Sequence, residues 1–176
     1  MAETRSGAVM FKSNPITLAG PEIKAGATAP DFAAVDNGLQ PVKLSGAKGK
    51  VVVLSSVPSL ETPVCDTETR RFNQEAAKLG GNVEIWTISR DLPFAQKRWC
   101  GAAGVTAVKT LSDFRERAFG PAYGVEIKDG PIAGLTARAV FVVGGDGKVK
   151  HVEYVKEIGS EPNYDAALAA AKSAAS

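Results

Sequence analysis

The sequence predicts a single mixed α/β domain organised around a βαβ unit, and three observations predict it. The unbroken aliphatic run Val51-Val52-Val53-Leu54 lacks polar alternation and so reads as a central strand buried on both faces. Beyond it Phe72, Ala76 and Leu79 fall at helical spacing, and Val83-Glu84-Ile85-Trp86-Thr87-Ile88 follows as a second strand. Glycine (18 residues) and proline (10 residues) are frequent enough to call for many turns, which disfavours a helical bundle. A chain of 176 residues has the usual size of one domain, residues 1–176, and can bury a core without disulfide staples or a structural metal.

The remaining elements follow in order. Val9-Met10-Phe11 and Ile16-Thr17-Leu18 flank Ser13-Asn14-Pro15 as an N-terminal hairpin. Ala29-Pro30-Asp31-Phe32 is extended, because a residue before proline avoids the helical region. Val42-Lys43-Leu44 is a short strand. A loop with two prolines, Pro58 to Cys65, leads into the first helix, which Gly80-Gly81 stops. Asp91 is placed to cap a second helix from Leu92-Pro93 to Cys100, with Gly101 near its end. Thr110-Leu111-Ser112 reads as a short strand and Arg117 to Tyr123 as a short helix. Strands over Arg138 to Val143 and Val149 to Val155 form a hairpin across Gly144-Gly145-Asp146-Gly147. Asn163 caps a final alanine-rich helix that buries Leu168. A βαβ unit, then a hairpin, then a closing helix is the order of a thioredoxin-like core, here with an N-terminal β-hairpin extension.

Charge and hydropathy exclude several classes. The net charge is +2, from 21 basic and 19 acidic residues that are interspersed, so no basic patch of a nucleic-acid binder stands out. The longest aliphatic run is far short of the roughly 20 residues needed to cross a bilayer. The N-terminal residues lack the apolar core of a signal peptide, and the chain reads as cytoplasmic. His151 alternates with apolar neighbours and reads as a solvent-facing strand residue. The glycine turn lacks the Lys-Ser/Thr ending of a phosphate-binding loop.

The chemistry is sought at the two cysteines, Cys65 and Cys100. With one histidine in the chain, cysteine and histidine alone cannot supply four zinc ligands, and no cofactor is called for. Cys65 sits where a loop becomes a helix, so unpaired first-turn amides and the positive end of the helix dipole favour its thiolate. An ordinary cysteine thiol, with a pKa of about 8.5, is only about 3 % ionised at pH 7. Asp66 and Glu68 oppose ionisation, so a cation must come from elsewhere in the fold, and arginine fits best. Two buried core thiols fit the spacing as well as a reactive pair does.

The segment before Cys65 separates these readings. Pro58-x-x-x-Thr62-x-x-Cys65 resembles the peroxiredoxin active-site signature. Asp91-Leu92-Pro93-Phe94-Ala95-Gln96-Lys97-Arg98-Trp99-Cys100 resembles the resolving-cysteine helix of the thiol peroxidase branch, the atypical 2-Cys peroxiredoxins. Gly130 to Ala139 resembles the segment carrying that family's active-site arginine, and the likeness extends from Phe11 to the C-terminus. Proline stands at position 63, where glycine is familiar, and Trp99 where phenylalanine is familiar.

The resemblance implies a thiol-dependent peroxidase acting on hydrogen peroxide and organic hydroperoxides. Cys65 is then the peroxidatic cysteine and Cys100 the resolving one, with Thr62 and Arg138 completing the peroxide site under Pro58. It further implies an intrachain disulfide recycled by thioredoxin, and a homodimer. A peroxide-sensing relay that passes its disulfide to a partner protein would use the same residues; a general disulfide exchanger is disfavoured by the absence of CxxC. Cys65 opening one helix and Cys100 lying near the end of another implies that the reduced sulfurs are too far apart to bond, so that Phe94 to Gly101 unwinds in each turnover.

Overall fold

The computed structural model describes residues 3–176 and has a seven-stranded sheet as its frame. The N-terminal hairpin is β1 (Thr4–Phe11) and β2 (Asn14–Ala19). Two short strands follow, β3 (Ala33–Val35) and β4 (Pro41–Lys43). The βαβαβ core consists of β5 (Val51–Ser56), α1 (Pro63–Ala76), β6 (Val83–Ser89), α2 (Pro93–Ala103) and β7 (Lys109–Ser112). Then come α3 (Phe119–Ala122), β8 (Glu126–Ile127), β9 (Ala139–Val143), β10 (Val149–Tyr154) and α4 (Tyr164–Ala175).

The large sheet runs β10-β9-β5-β6-β7-β3-β4, and β1-β2-β8 form a smaller sheet. β5, β6 and β7 are parallel, whereas β9 pairs antiparallel with β5 and β10 with β9. Alternation along β5 divides the core. Val51 and Val53 face a cluster with Phe72 of α1, Trp99 of α2 and Leu168 of α4. Val52 and Leu54 face a second cluster with Val9, Ile16 and Leu18 of the hairpin and with Phe119 and Tyr123. All six residues of β5 are buried, as expected for a strand covered on both faces. This is a thioredoxin-like arrangement, with the hairpin added to one face.

Several local expectations change. The first hairpin turns at Lys12 and Ser13, whose φ angles of 49° and 65° make the tight turn, so that Asn14 and Pro15 already belong to β2. Asp91 does not cap α2. Leu92 is the N-cap and Pro93 opens the helix, while the Asp91 carboxylate accepts from Ser59 Oγ (2.6 Å), Ser89 Oγ (2.7 Å) and Leu60 N (2.8 Å). α2 runs through Gly101 to Ala103 and ends on Gly104, at φ 69° in the left-handed region. β3 and β8, of three and two residues, were too short to show periodicity. His151 is half-buried, not solvent-facing. Its Nε2 is shielded from water without a partner among the described residues, and burial lowers its pKa from the ordinary histidine value. The Gly144–Gly147 hairpin turn and the Asn163 cap, which accepts from Ala166 N at 3.0 Å, are as expected.

Candidate active site

The loop after β5 and the first turn of α1 place the thiol. Pro63 fits the first helical position, where its missing N–H costs nothing and its fixed φ is already helical. Thr62 is the N-cap residue, so Cys65 lies one turn in, on the face turned to the sheet, and is 0 % exposed. Thr69 Oγ1 donates to the Cys65 carbonyl (2.8 Å), and Asp66 N to the Thr62 carbonyl (3.0 Å), which fixes this turn.

Three of the expected side chains converge. Thr62 Oγ1 lies 2.7 Å from Cys65 Sγ, and Arg138 Nη2 donates to the same sulfur at 3.3 Å. Thr62 Oγ1 also lies 2.8 Å from the Ser59 carbonyl. A hydroxyl has one proton, so it can donate to Ser59 while accepting from the thiol, or donate to the thiolate. Pro58 is buried in the loop above and lines a cavity of about 210 Å³ with Thr62 and Arg138. Its other walls include Phe11, Ile132, Leu135 and Ile158, so the approach is apolar and ends on two hydrogen-bond donors.

Arg138 is itself anchored on three sides, at 2 % exposure. Its Nε donates to the Ile158 carbonyl (2.8 Å), and its Nη1 to Glu68 Oε2 (2.5 Å). Ser55 Oγ donates to the other Glu68 oxygen at 2.8 Å. Burial pushes the Glu68 carboxyl up, opposed by Arg138 and Ser55. Burial disfavours the guanidinium charge, but Glu68 and Cys65 beside it more than offset this and hold Arg138 protonated. Glu68 is therefore the partner that aims the arginine, and not a free anion acting against the thiolate. Its position three residues after Cys65, on the same helix face, was the available signal.

Asp66 turns outward, accepting from Arg70 Nε (2.9 Å) and Trp99 Nε1 (2.9 Å). On the same helix Arg70 pairs with Asp66 and Arg71 with Glu75, and neither bonds the sulfur. Cys100 is brought near α1 by the shared core but not into the cluster. Both cysteines are free, and Cys100 Sγ lies 3.4 Å from Thr110 Oγ1 on β7.

Breaking an O–O bond with sulfur requires a nucleophile whose neighbours also stabilise the departing oxygen, and Thr62 and Arg138 both bond the Cys65 sulfur and line the cavity beside it. The class of protein so defined is a thiol-dependent peroxidase of the peroxiredoxin type. The Redoxin family model matches residues 24–168. The thiol peroxidase of Bacillus subtilis (strain 168) is 52% identical over 164 residues, covering 93% of this chain and 96% of that protein. That of Halalkalibacterium halodurans is 53% identical over 166 residues, covering 94% and 98%. A peroxiredoxin-like protein from Aquifex aeolicus superposes with a TM-score of 0.91 at 45% identity over 97% of each chain. A thiol peroxidase from Chromobacterium violaceum shares the fold at 22% identity, with a TM-score of 0.80 over 90% of this chain and 91% of that one. The chain belongs to the Redoxin family, among its thiol peroxidases. Among the described residues, no helix is long and apolar enough to cross a membrane.

Proposed function

We propose that Cys65 is the peroxidatic cysteine and Cys100 the resolving cysteine of an intrachain cycle. The observation that carries this reading is the pair of donors, Thr62 and Arg138, on one buried sulfur. The Cys65 thiolate attacks the terminal oxygen of a hydroperoxide. The S–O bond forms as the O–O bond breaks, Cys65 becomes a sulfenic acid, and the alkoxide or hydroxide leaves with the bond's electron pair to take up a proton. Thr62 and Arg138 donate hydrogen bonds to the charge building on that oxygen. Pro58 keeps water from the sulfur. The Cys100 thiol then displaces water from the sulfenic acid and closes the disulfide.

Hydrogen peroxide and organic hydroperoxides both fit, because the apolar walls accept a carbon chain without demanding one. The sequence resemblance supports thioredoxin as the reductant, a homodimer as the assembly, and antioxidant defence in the cytoplasm as the role. Stopped-flow oxidation of the reduced protein by hydrogen peroxide and by cumene hydroperoxide, followed by recycling with thioredoxin, tests the cycle. Cys65→Ser should consume neither peroxide. Substantial activity in that variant would refute the assignment.

A further inference from the structure

We propose that the hydrogen bond from Trp99 to Asp66 is a latch that sets how fast Cys100 reaches the oxidised Cys65. The proposal rests on the reading of the two cysteines given above. Trp99 and Cys100 are consecutive on α2, so their side chains leave the helix about 100° apart. Trp99 points at α1, where it is 8% exposed and donates Nε1 to Asp66 Oδ1 at 2.9 Å. Arg70 closes the latch from outside. Its Nε donates to Asp66 Oδ2 (2.9 Å), its guanidinium lies 5.7 Å from the centre of the Trp99 ring, and its Nη1 reaches the Ala103 carbonyl (3.4 Å).

Cys100 points the other way, at β7. Thr110 Oγ1 gives its one proton to Asn37 Oδ1 (3.0 Å), so at 3.4 Å the Cys100 thiol is the donor to Thr110. The Cys100 thiol is thus turned to β7, while Trp99 faces α1, where Cys65 lies next in sequence to Asp66. A rotation or unwinding that turns Cys100 toward α1 carries Trp99 off it. The indole–carboxylate bond must therefore break before the sulfurs can meet. Other fastenings of α2 lie a turn away, as at Gln96, whose Nε2 donates to Ser89 Oγ and the Leu111 carbonyl, both at 3.0 Å.

The latch matters because a sulfenic acid has two fates. Condensation with Cys100 forms the S–S bond and releases water. A second hydroperoxide instead oxidises Cys65 to the sulfinic acid and is itself reduced to alcohol or water. Slow opening lengthens the life of the sulfenic acid and favours the second route at high peroxide.

Acid-quenched samples of reduced protein mixed with one equivalent of hydrogen peroxide, resolved by mass spectrometry, give separate rates for Cys65 oxidation and for the Cys65–Cys100 disulfide. Trp99→Phe should speed the disulfide step about tenfold, the size expected of a hydrogen bond to a charged group. It should leave the first oxidation unchanged and lower the sulfinic fraction under excess peroxide. Asp66→Asn keeps an acceptor for the indole and should fall between wild type and Trp99→Phe. If Trp99→Phe fails to fold, Arg70→Ala decides. It should speed the disulfide about twofold, as for an exposed ion pair, and an unchanged rate would overturn the latch. A normal wild-type disulfide with an unchanged or slower step in folded Trp99→Phe would overturn the latch alone. Absence of the disulfide in wild type would overturn the role of Cys100 and the latch with it.

Discussion

Glu68 and Arg138 stand 70 residues apart in the chain and meet in a buried ion pair at 2.5 Å, with the free arm of the guanidinium on the Cys65 sulfur. The pair joins the helix that carries the thiol to the start of β9. It gives the site a cation whose direction is set before substrate arrives.

Removing one member of this pair should be costly. Glu68→Ala leaves a buried guanidinium without its carboxylate and should lower stability by about 3–5 kcal/mol. The double variant Glu68→Leu/Arg138→Met should recover much of that stability in urea unfolding while staying inactive toward peroxide. Recovery of activity along with stability would show that the pair has no chemical role.

Arg138→Ala should slow peroxide attack by about 10²–10³, the usual cost of deleting one donor at an electrostatically organised site. An unchanged rate of peroxide attack in stopped flow would place Arg138 outside the reaction.

Cys100→Ser should retain the first oxidation and accumulate sulfenic or over-oxidised Cys65, detected by mass spectrometry. In wild type the emission of Trp99 should change on oxidation, because α2 carries it away from Asp66. Trp86→Phe should preserve that change, since Trp86 is fixed in β6 at 1% exposure and bonded to Glu84. Identical spectra of the reduced and oxidised wild type would argue that α2 stays in place.

The apolar approach should discriminate by tail and not by reaction. Leu135→Ser places a hydroxyl in the wall of the roughly 210 Å³ cavity and should raise KM for cumene hydroperoxide several-fold, leaving hydrogen peroxide turnover near wild type. Equal losses on both substrates would show that the wall acts on the thiol itself.

His151 predicts an acid-side loss of stability. Burial lowers its pKa from the ordinary 6.5, with Glu153 pulling partly back. Between the folded value and 6.5 the unfolded chain therefore binds more protons, so stability rises with pH across that window and falls as the pH drops through it. His151→Leu should flatten this part of the profile in urea unfolding between pH 7 and about 5. An unchanged slope would mean that the imidazole titrates alike in both states.

The frame is legible in the sequence because its signals are local. Val51 to Leu54 reads as a doubly buried strand, the glycine turn as the closure of a hairpin, and Asn163 as a helix cap. The sequence also placed Cys65 at a helix start and showed that Asp66 and Glu68 demanded a distant cation. Where those charges go depends on contacts between distant segments. Glu68 turns inward to Arg138 because it shares the face of α1 that Cys65 presents to the sheet, while Asp66, one residue on, turns out to Arg70 and Trp99. Asp91 had the chemistry of a cap, yet it binds Ser59, Leu60 and Ser89, because the fold brings the loop after β5 within its reach. Local spacing records which side of a helix a residue occupies. Which distant backbone or charge meets that side depends on the pairing of β9 beside β5, a contact between residues 83 to 91 positions apart.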